Sequence, residues 1–354
     1  MGLPYRQAFF LLFFEQQSLT FYHKKMKEIL RHLFEYKSFS RQEAYDILTH
    51  IATGKYDSHQ IAAFMTTYGM RSIRVEELTG FRDAMYDLCL KVDFQGYDLI
   101  DMCGTGGDGK NTFNISTLAS FVVAGAGYHV AKHGNVGVSS GCGSSNVMEY
   151  LGYQFTNDMD SLKRQLDEAN ICFLHAPLFH PAMKTVAPIR KALGVKTFFN
   201  MLGPLTNPAN PTYQSVGVFS LELARLYNYL CQNTDKQYSI IHALDGYDEI
   251  SLTGDFKLIN NAGESYYTVE ELGFEPVTSD ELAGGDTVEE AANIFNNIIQ
   301  GKGTNSQNNV VLTNAAFAIK TFHPERSFGD CYYEAEASLL GLKALDSLKK
   351  LVRS

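Results

Sequence analysis

A chain of 354 residues is too long for one small core and implies two domains, or one large domain with an appendage. Hydrophobic residues at 45% and charged residues at 19% fit a globular protein, and a net charge of −9 opposes a general grip on nucleic-acid phosphates. The six cysteines are scattered without a C-x-x-C pair, which excludes a zinc-ribbon pattern and reads as reduced thiols in a cytoplasmic chain.

The apolar run AFFLLFF (Ala8 to Phe14) is too short to span a bilayer. No small-residue cleavage site follows it, only EQQSLTFYHKK. Residues 1–25 therefore read as an N-terminal extension, and no membrane association is expected. From 26 to 95 the apolar period is helical. Ile29, Leu30, Leu33 and Phe34 share a face, and Ser40-Arg41-Gln42-Glu43 has the capping-box pattern before Ala44, Ile47, Leu48 and Ile51. Two more helices fit Ile61 to Tyr68 and Val75 to Leu88. With no strand signal, this stretch is expected to be a small helical domain.

From 96 to 354 the texture alternates. YDLID, YHVAKH, NICFLHA, YQSVGVF and YSIIHAL read as strands. LASFVVAGAG, VMEYLG, SLKRQLDEA, LELARLYNYL and VEEAANIFNNII read as helices. The alternation predicts an α/β domain whose mostly parallel central sheet is flanked by helices. A hairpin is expected to turn at Asn260 to Gly263, and EAEASLLGLKALDSLKKLV to form one closing amphipathic helix.

Two stretches carry chemistry. GTGGDGKNTFNIST (Gly104 to Thr117) is a glycine-rich turn between a strand and a helix start, where bare backbone N–H groups suit an anion, above all phosphate. It is not a P-loop, since Asn111 rather than Ser or Thr follows Lys110. KHGNVGVSSGCGSS (Lys132 to Ser145) follows the next strand with a cation, an imidazole, an amide and hydroxyls. Loops after successive parallel strands gather at one sheet edge, so the two turns together suit a multiply phosphorylated ligand. Asp248-Glu249 follows a further strand; near phosphates such a pair suits Mg²⁺. Arg190, on a short helix, has the fork to hold a carboxylate.

These motifs, with FHPAMKTVAPIRKALGVKTFFNMLGPLTNP, closely resemble the anthranilate phosphoribosyltransferase family of tryptophan biosynthesis, from about Met26 to the C-terminus. The resemblance implies the fold shared with pyrimidine nucleoside phosphorylases, with a segment near 181–194 returning to the helical domain, and a homodimer formed through that domain. It implies a phosphoribosyl pyrophosphate site at Gly104, Gly107, Asp108, Thr112, Asn114, Ile115, Ser116 and Thr117. The site continues through Lys132, His133, Gly134, Asn135, Val136, Gly137, Val138, Ser139, Ser140 and Ser144. Mg²⁺ ligands are implied at Ser116, Asp248 and Glu249, and anthranilate contacts at Gly104, Asn135, His180 and Arg190. Arg190, Asn135 and His133 are the residues implied for catalysis. Three departures stand out: Val136 where many members have Arg, Gly141 where they have Lys, and GSSN (Gly143 to Asn146) for the common GSAD. Two other readings stay open. A nucleoside phosphorylase on the same fold has little use for a Mg²⁺ pair. A non-enzymatic nucleic-acid binder wants a basic face, which the net charge opposes.

Overall fold

The computed structural model describes residues 25–136 and 142–354. The extension expected at 1–25, save its last residue, and Gly137, Val138, Ser139, Ser140 and Gly141 lie outside the described residues. The chain divides into two compact units. One takes the chain through Leu88 together with Ala182–Phe199; the other takes Cys89–Pro181 and Asn200–Ser354.

The first unit is helical, with Met26–Phe34, Arg41–Ala52, Ser58–Gly69, Val75–Asp87 and the inserted Met183–Leu193. The Ser40 capping box forms: Ser40 N–H donates to Glu43 Oε2 at 2.9 Å and Glu43 N–H to Ser40 Oγ at 3.3 Å, satisfying two otherwise orphaned donors. Phe64, Tyr68, Phe81 and Phe198 pack as an aromatic cluster, with Phe81 and Phe198 stacked at 4.7 Å. Beside it the Glu77 carboxylate is fully buried. It is satisfied by Phe39 N–H, the Tyr68 hydroxyl, the Arg71 guanidinium and Arg74 N–H.

The second unit is built on seven strands: β1 (Leu99–Gly104), β2 (His129–Gly134), β3 (Ile171–His175), β4 (Tyr213–Gly217), β5 (Gln237–Ala243), β6 (Phe256–Asn260) and β7 (Gly263–Tyr267). Their order is β3-β2-β1-β4-β5-β6-β7. The first five run parallel, and β6 and β7 form the expected hairpin, antiparallel to β5. Helices Ile115–Gly125 and Asn305–Phe322 supply Phe121, Val122, Val311 and Phe317 to the largest core. The parallel order brings the loops after β1, β2 and β5 to one edge of the sheet. Among the described residues no helix is long and apolar enough to cross a membrane.

The closing segment departs from expectation. Instead of one helix it forms two, Phe328–Leu340 and Lys343–Arg353. At Gly341 a Cβ would stand 2.4 Å from Ala337 O, and Leu342 takes the left-handed conformation (φ 59°). The reversal brings the Lys343–Ala344 backbone against Gly125, where a Cβ would lie 2.5 Å from Ala344 N. Backbone contact between elements, rather than the apolar stripe alone, decides the break.

Candidate active site

The first glycine turn needs its glycines for two separate reasons. Gly106, Gly107 and Gly109 have φ of 66°, 80° and 77°, a region that L side chains rarely adopt. Gly104, at the end of β1, is instead a matter of space: a Cβ would sit 2.4 Å from Asp248 Oδ2. Gly217, at the end of neighbouring β4, is more constrained still, with a would-be Cβ 1.5 Å from Asp248 O. The acidic pair after β5 thus lies directly on bare backbone.

Asp248 and Glu249 tie the turn together. Gly106 N–H donates to Asp248 Oδ2 at 2.6 Å, and Ser116 N–H, in the first turn of helix Ile115–Gly125, donates to Glu249 Oε1 at 2.9 Å. Burial pushes the Asp248 carboxyl well above the usual carboxylate range, with repulsion from Glu249 and Asp108 adding to it. Burial raises Glu249 to about 7 against the opposing hydrogen bond from Ser116. A positive charge beside the pair would restore both ionised forms. Asp108 Oδ1 accepts from Lys110 N–H at 3.0 Å. Thr112 bridges to Ala283, and Ile115 and Thr117 are buried. Asn114 Nδ2 lies 3.5 Å from Cys142 O, linking the first loop to the second.

The second loop is held just as closely. Gly134 faces Ser144, whose Oγ would be 2.8 Å from a Cβ there. The Asn135 carbonyl accepts from Ser145 N–H at 3.2 Å and from Ser144 Oγ at 3.4 Å. Val136 is 41% exposed. Lys132 is buried, and its Nζ donates to Met102 O at 2.5 Å. Burial lowers its pKa, opposed by Cys103, Asp101 and Glu249. His133 donates its backbone N–H to the buried carboxylate of Asp101 at 3.0 Å, and its Nδ1 meets Gly203 O at 3.0 Å. Its Nε2 lies 3.2 Å from Nε2 of His180. Burial pulls His133 down to about 4, with the Lys132 charge adding to it. Burial pulls His180 down to about 3, with His133 adding to it. Both rings are thereby held neutral at pH 7. Arg190 belongs to the helical unit, on Met183–Leu193, with its guanidinium 5.7 Å from the Phe199 ring.

Comparison with known proteins adds a direct test. Residues 96–343 match the model of the glycosyl transferase family a/b domain, and residues 27–89 that of the family's helical bundle domain. Anthranilate phosphoribosyltransferase of Christiangramia forsetii is 58% identical over 92% of this chain and 98% of its own length. That of Flavobacterium johnsoniae is 56% identical over 92% and 99%. The chain belongs to the anthranilate phosphoribosyltransferase family. Among solved members, the Thermus thermophilus enzyme superposes with a TM-score of 0.84 at 30% identity, covering 92% of this chain and 98% of that one. The Saccharomyces cerevisiae enzyme in complex with phosphoribosyl pyrophosphate and Mg superposes with a TM-score of 0.85 at 26% identity, covering 93% and 97%. Of the readings left open by the residues alone, the transferase stands.

Seen against this family, three supporting residues escaped the reading of the sequence. Gly217 sits inside a run that reads simply as strand; an isolated strand glycine is itself a sign of close backbone approach. Asp101 is a carboxylate inside β1 with no sequence mark to separate it from a surface charge. Asn314 lies in a helix that shows no amphipathic stripe because nearly every residue from Val310 to Ile319 is buried.

Proposed function

We propose that this protein transfers the 5-phosphoribosyl group of phosphoribosyl pyrophosphate to the amine of anthranilate, giving N-(5-phosphoribosyl)anthranilate and pyrophosphate, a step of L-tryptophan biosynthesis. The observation that carries the proposal is the double tie of the acidic pair. Asp248 binds the glycine turn and Glu249 binds the helix start, at the sheet edge where β2, carrying Lys132 and His133, also ends. The yeast relative solved with phosphoribosyl pyrophosphate and Mg has the same fold.

The residues present fit Mg²⁺. Two buried carboxyls stand side by side, tied to Gly106 N–H and Ser116 N–H, and burial raises both above their usual range, which a bound cation would offset. Mg²⁺ is usually held by one or two carboxylates with phosphate oxygens and waters. Asp248, Glu249 and Ser116 are the residues that would hold it, and when bound it offsets the charge that builds on departing pyrophosphate. The protein's own groups do the rest. Gly106 and Ser116 spend their N–H groups on the acidic pair, so the 107–109 part of the turn is what meets the phosphates, and the buried Lys132 ammonium adds positive charge behind it. The aniline nitrogen already carries a lone pair, so no strong base is required; alignment of amine, C1 and leaving oxygen supplies much of the acceleration. Arg190 holds the anthranilate carboxylate through its fork, assisted by Asn135. His133 and His180, neutral and dry, line the acceptor's path without adding a second positive charge.

The working form is a cytoplasmic homodimer joined through the helical unit. Exposed Phe34, Tyr36 and Met70 on that unit support the dimer, and the absence of disulfides among the six cysteines supports a reducing compartment. Purified protein with both substrates and Mg²⁺ is expected to consume anthranilate fluorescence and release one pyrophosphate per product. Chelation with EDTA is expected to stop the reaction and excess Mg²⁺ to restore it. Unchanged anthranilate fluorescence with both substrates and Mg²⁺ would end the proposal.

A further inference from the structure

The longest helix among the described residues, Asn305–Phe322, runs through the core of the α/β unit. Asn314 stands in it at 7% exposure, among Val310, Val311, Ala315 and Phe317. A buried primary amide is tolerated only when its polar atoms are satisfied. Here they are spent largely on one residue of another element. Ile250 N–H donates to Asn314 Oδ1 at 3.1 Å, and Asn314 Nδ2 donates to Ile250 O at 2.8 Å and to Val310 O at 2.8 Å. The side chain thus takes both backbone groups of Ile250, as a neighbouring strand would. Ile250 directly follows Asp248-Glu249. On its other side this segment rests on Gly217, which leaves no room for a side chain beneath Asp248 O. Asn314 also lines, with Ser116, Asp248 and Glu249, a small, partly open pocket.

We infer that Asn314 is a positioning residue for the acidic pair. Its amide locks the 248–250 backbone in the one rotation that presents Asp248 to Gly106 and Glu249 to Ser116. The inference rests on the proposed function, because those two carboxylates are taken to hold the Mg²⁺ of the bound diphosphate. Asn314 acts through Ile250 and has no part in the chemistry. A leucine keeps the branched shape and makes none of the three hydrogen bonds. An aspartate keeps the acceptor for Ile250 N–H but sets an anionic oxygen against the Ile250 and Val310 carbonyls, so it should do no better than leucine.

The test measures the dissociation constant of Mg²⁺–phosphoribosyl pyrophosphate by calorimetry with no anthranilate present. KM for anthranilate and the thermal midpoint are measured in parallel. Asn314→Leu is expected to weaken that complex at least 10-fold and to raise the half-saturating Mg²⁺ concentration. Asn314→Asp is expected to weaken it at least as much as Asn314→Leu. KM for anthranilate should stay within about twofold, at a temperature where circular dichroism shows the variants folded. A lowered midpoint with an unchanged dissociation constant overturns the inference and leaves Asn314 a packing residue. Hydrogen exchange on the parent needs no variant: the Ile250 amide should be protected, and more so with Mg²⁺–phosphoribosyl pyrophosphate. A fast-exchanging Ile250 amide also overturns it. A parent that binds the complex and turns over anthranilate keeps the proposed function standing even where the Asn314 inference fails.

Discussion

Replacing Gly217 with alanine is the sharpest perturbation of the site that leaves every proposed ligand in place. The added Cβ would start 1.5 Å from Asp248 O, and ordinary contact begins near 3.4 Å. The obstacle is backbone, so no rotamer change relieves it; the 248–250 segment must retreat by about 2 Å. Overpacking of this kind costs roughly 1–3 kcal/mol of stability. The catalytic effect is larger, since a displacement of about 1 Å costs on the order of 10²-fold when alignment supplies the rate. Gly217→Ala is therefore expected to lower kcat/KM for phosphoribosyl pyrophosphate by about 10²-fold and to raise the Mg²⁺ requirement, measured by the fluorescence assay across a Mg²⁺ titration. Gly341→Ala is the control. Its Cβ also meets backbone, 2.4 Å from Ala337 O, at the turn between the last two helices. It should lower the thermal midpoint and leave the Mg²⁺ titration unmoved. If Gly217→Ala lowered the midpoint alone, the acidic pair would not depend on the floor beneath it.

Arg190→Ala is expected to raise KM for anthranilate by 10-fold or more, the loss of a charge-assisted fork worth about 1.5–3 kcal/mol, with KM for phosphoribosyl pyrophosphate little changed in steady-state assays. Val136→Arg puts a cation at an exposed position of the second loop and should lower KM for phosphoribosyl pyrophosphate severalfold, an exposed ion pair being worth up to about 1 kcal/mol. The histidine pair sets an acid limit. Both folded pKa values, about 4 and about 3, lie below that of an unfolded imidazole, so the unfolded chain takes up protons first as pH falls. The pair's own contribution is intact above roughly pH 6.5 and drops toward pH 4, by about 2 kcal/mol per imidazole at pH 5, while the raised Asp248 and Glu249 carboxyls act in the opposite sense over the same range. Urea unfolding of the parent and of His180→Gln at pH 7 and pH 5 checks this: the parent should lose about 2 kcal/mol more than the variant on going to pH 5, and an equal change in both proteins would refute it.

The parts that were legible in the sequence are those whose physics is local. Ser40-Arg41-Gln42-Glu43 caps a helix from its own four residues, and Gly104 to Gly109 announce exposed backbone whatever surrounds them. Alternating strand and helix patterns sufficed for the mostly parallel sheet. What stayed hidden depends on partners far along the chain. Helix Asn305–Phe322 is buried on nearly all sides, so it has no period to read, and its Asn314 matters only through Ile250. The break at Gly341–Leu342 follows from backbone packing against Gly125. Lys132 has the type expected of a phosphate ligand, yet its ammonium is committed to Met102 O, a fact of the folded sheet and not of the motif.

The strand order has a consequence for how the molecule is made. Both glycine turns belong to strands that leave the ribosome early, but β1 pairs with β4, and the acidic pair follows β5, more than a hundred residues behind. Asn314 emerges later still. A nascent chain stopped at residue 236 has both glycine turns and Ser116 but neither carboxylate of the acidic pair. On the proposed function, stabilisation by the donor sugar and Mg²⁺ is therefore expected only for chains that extend past Glu249.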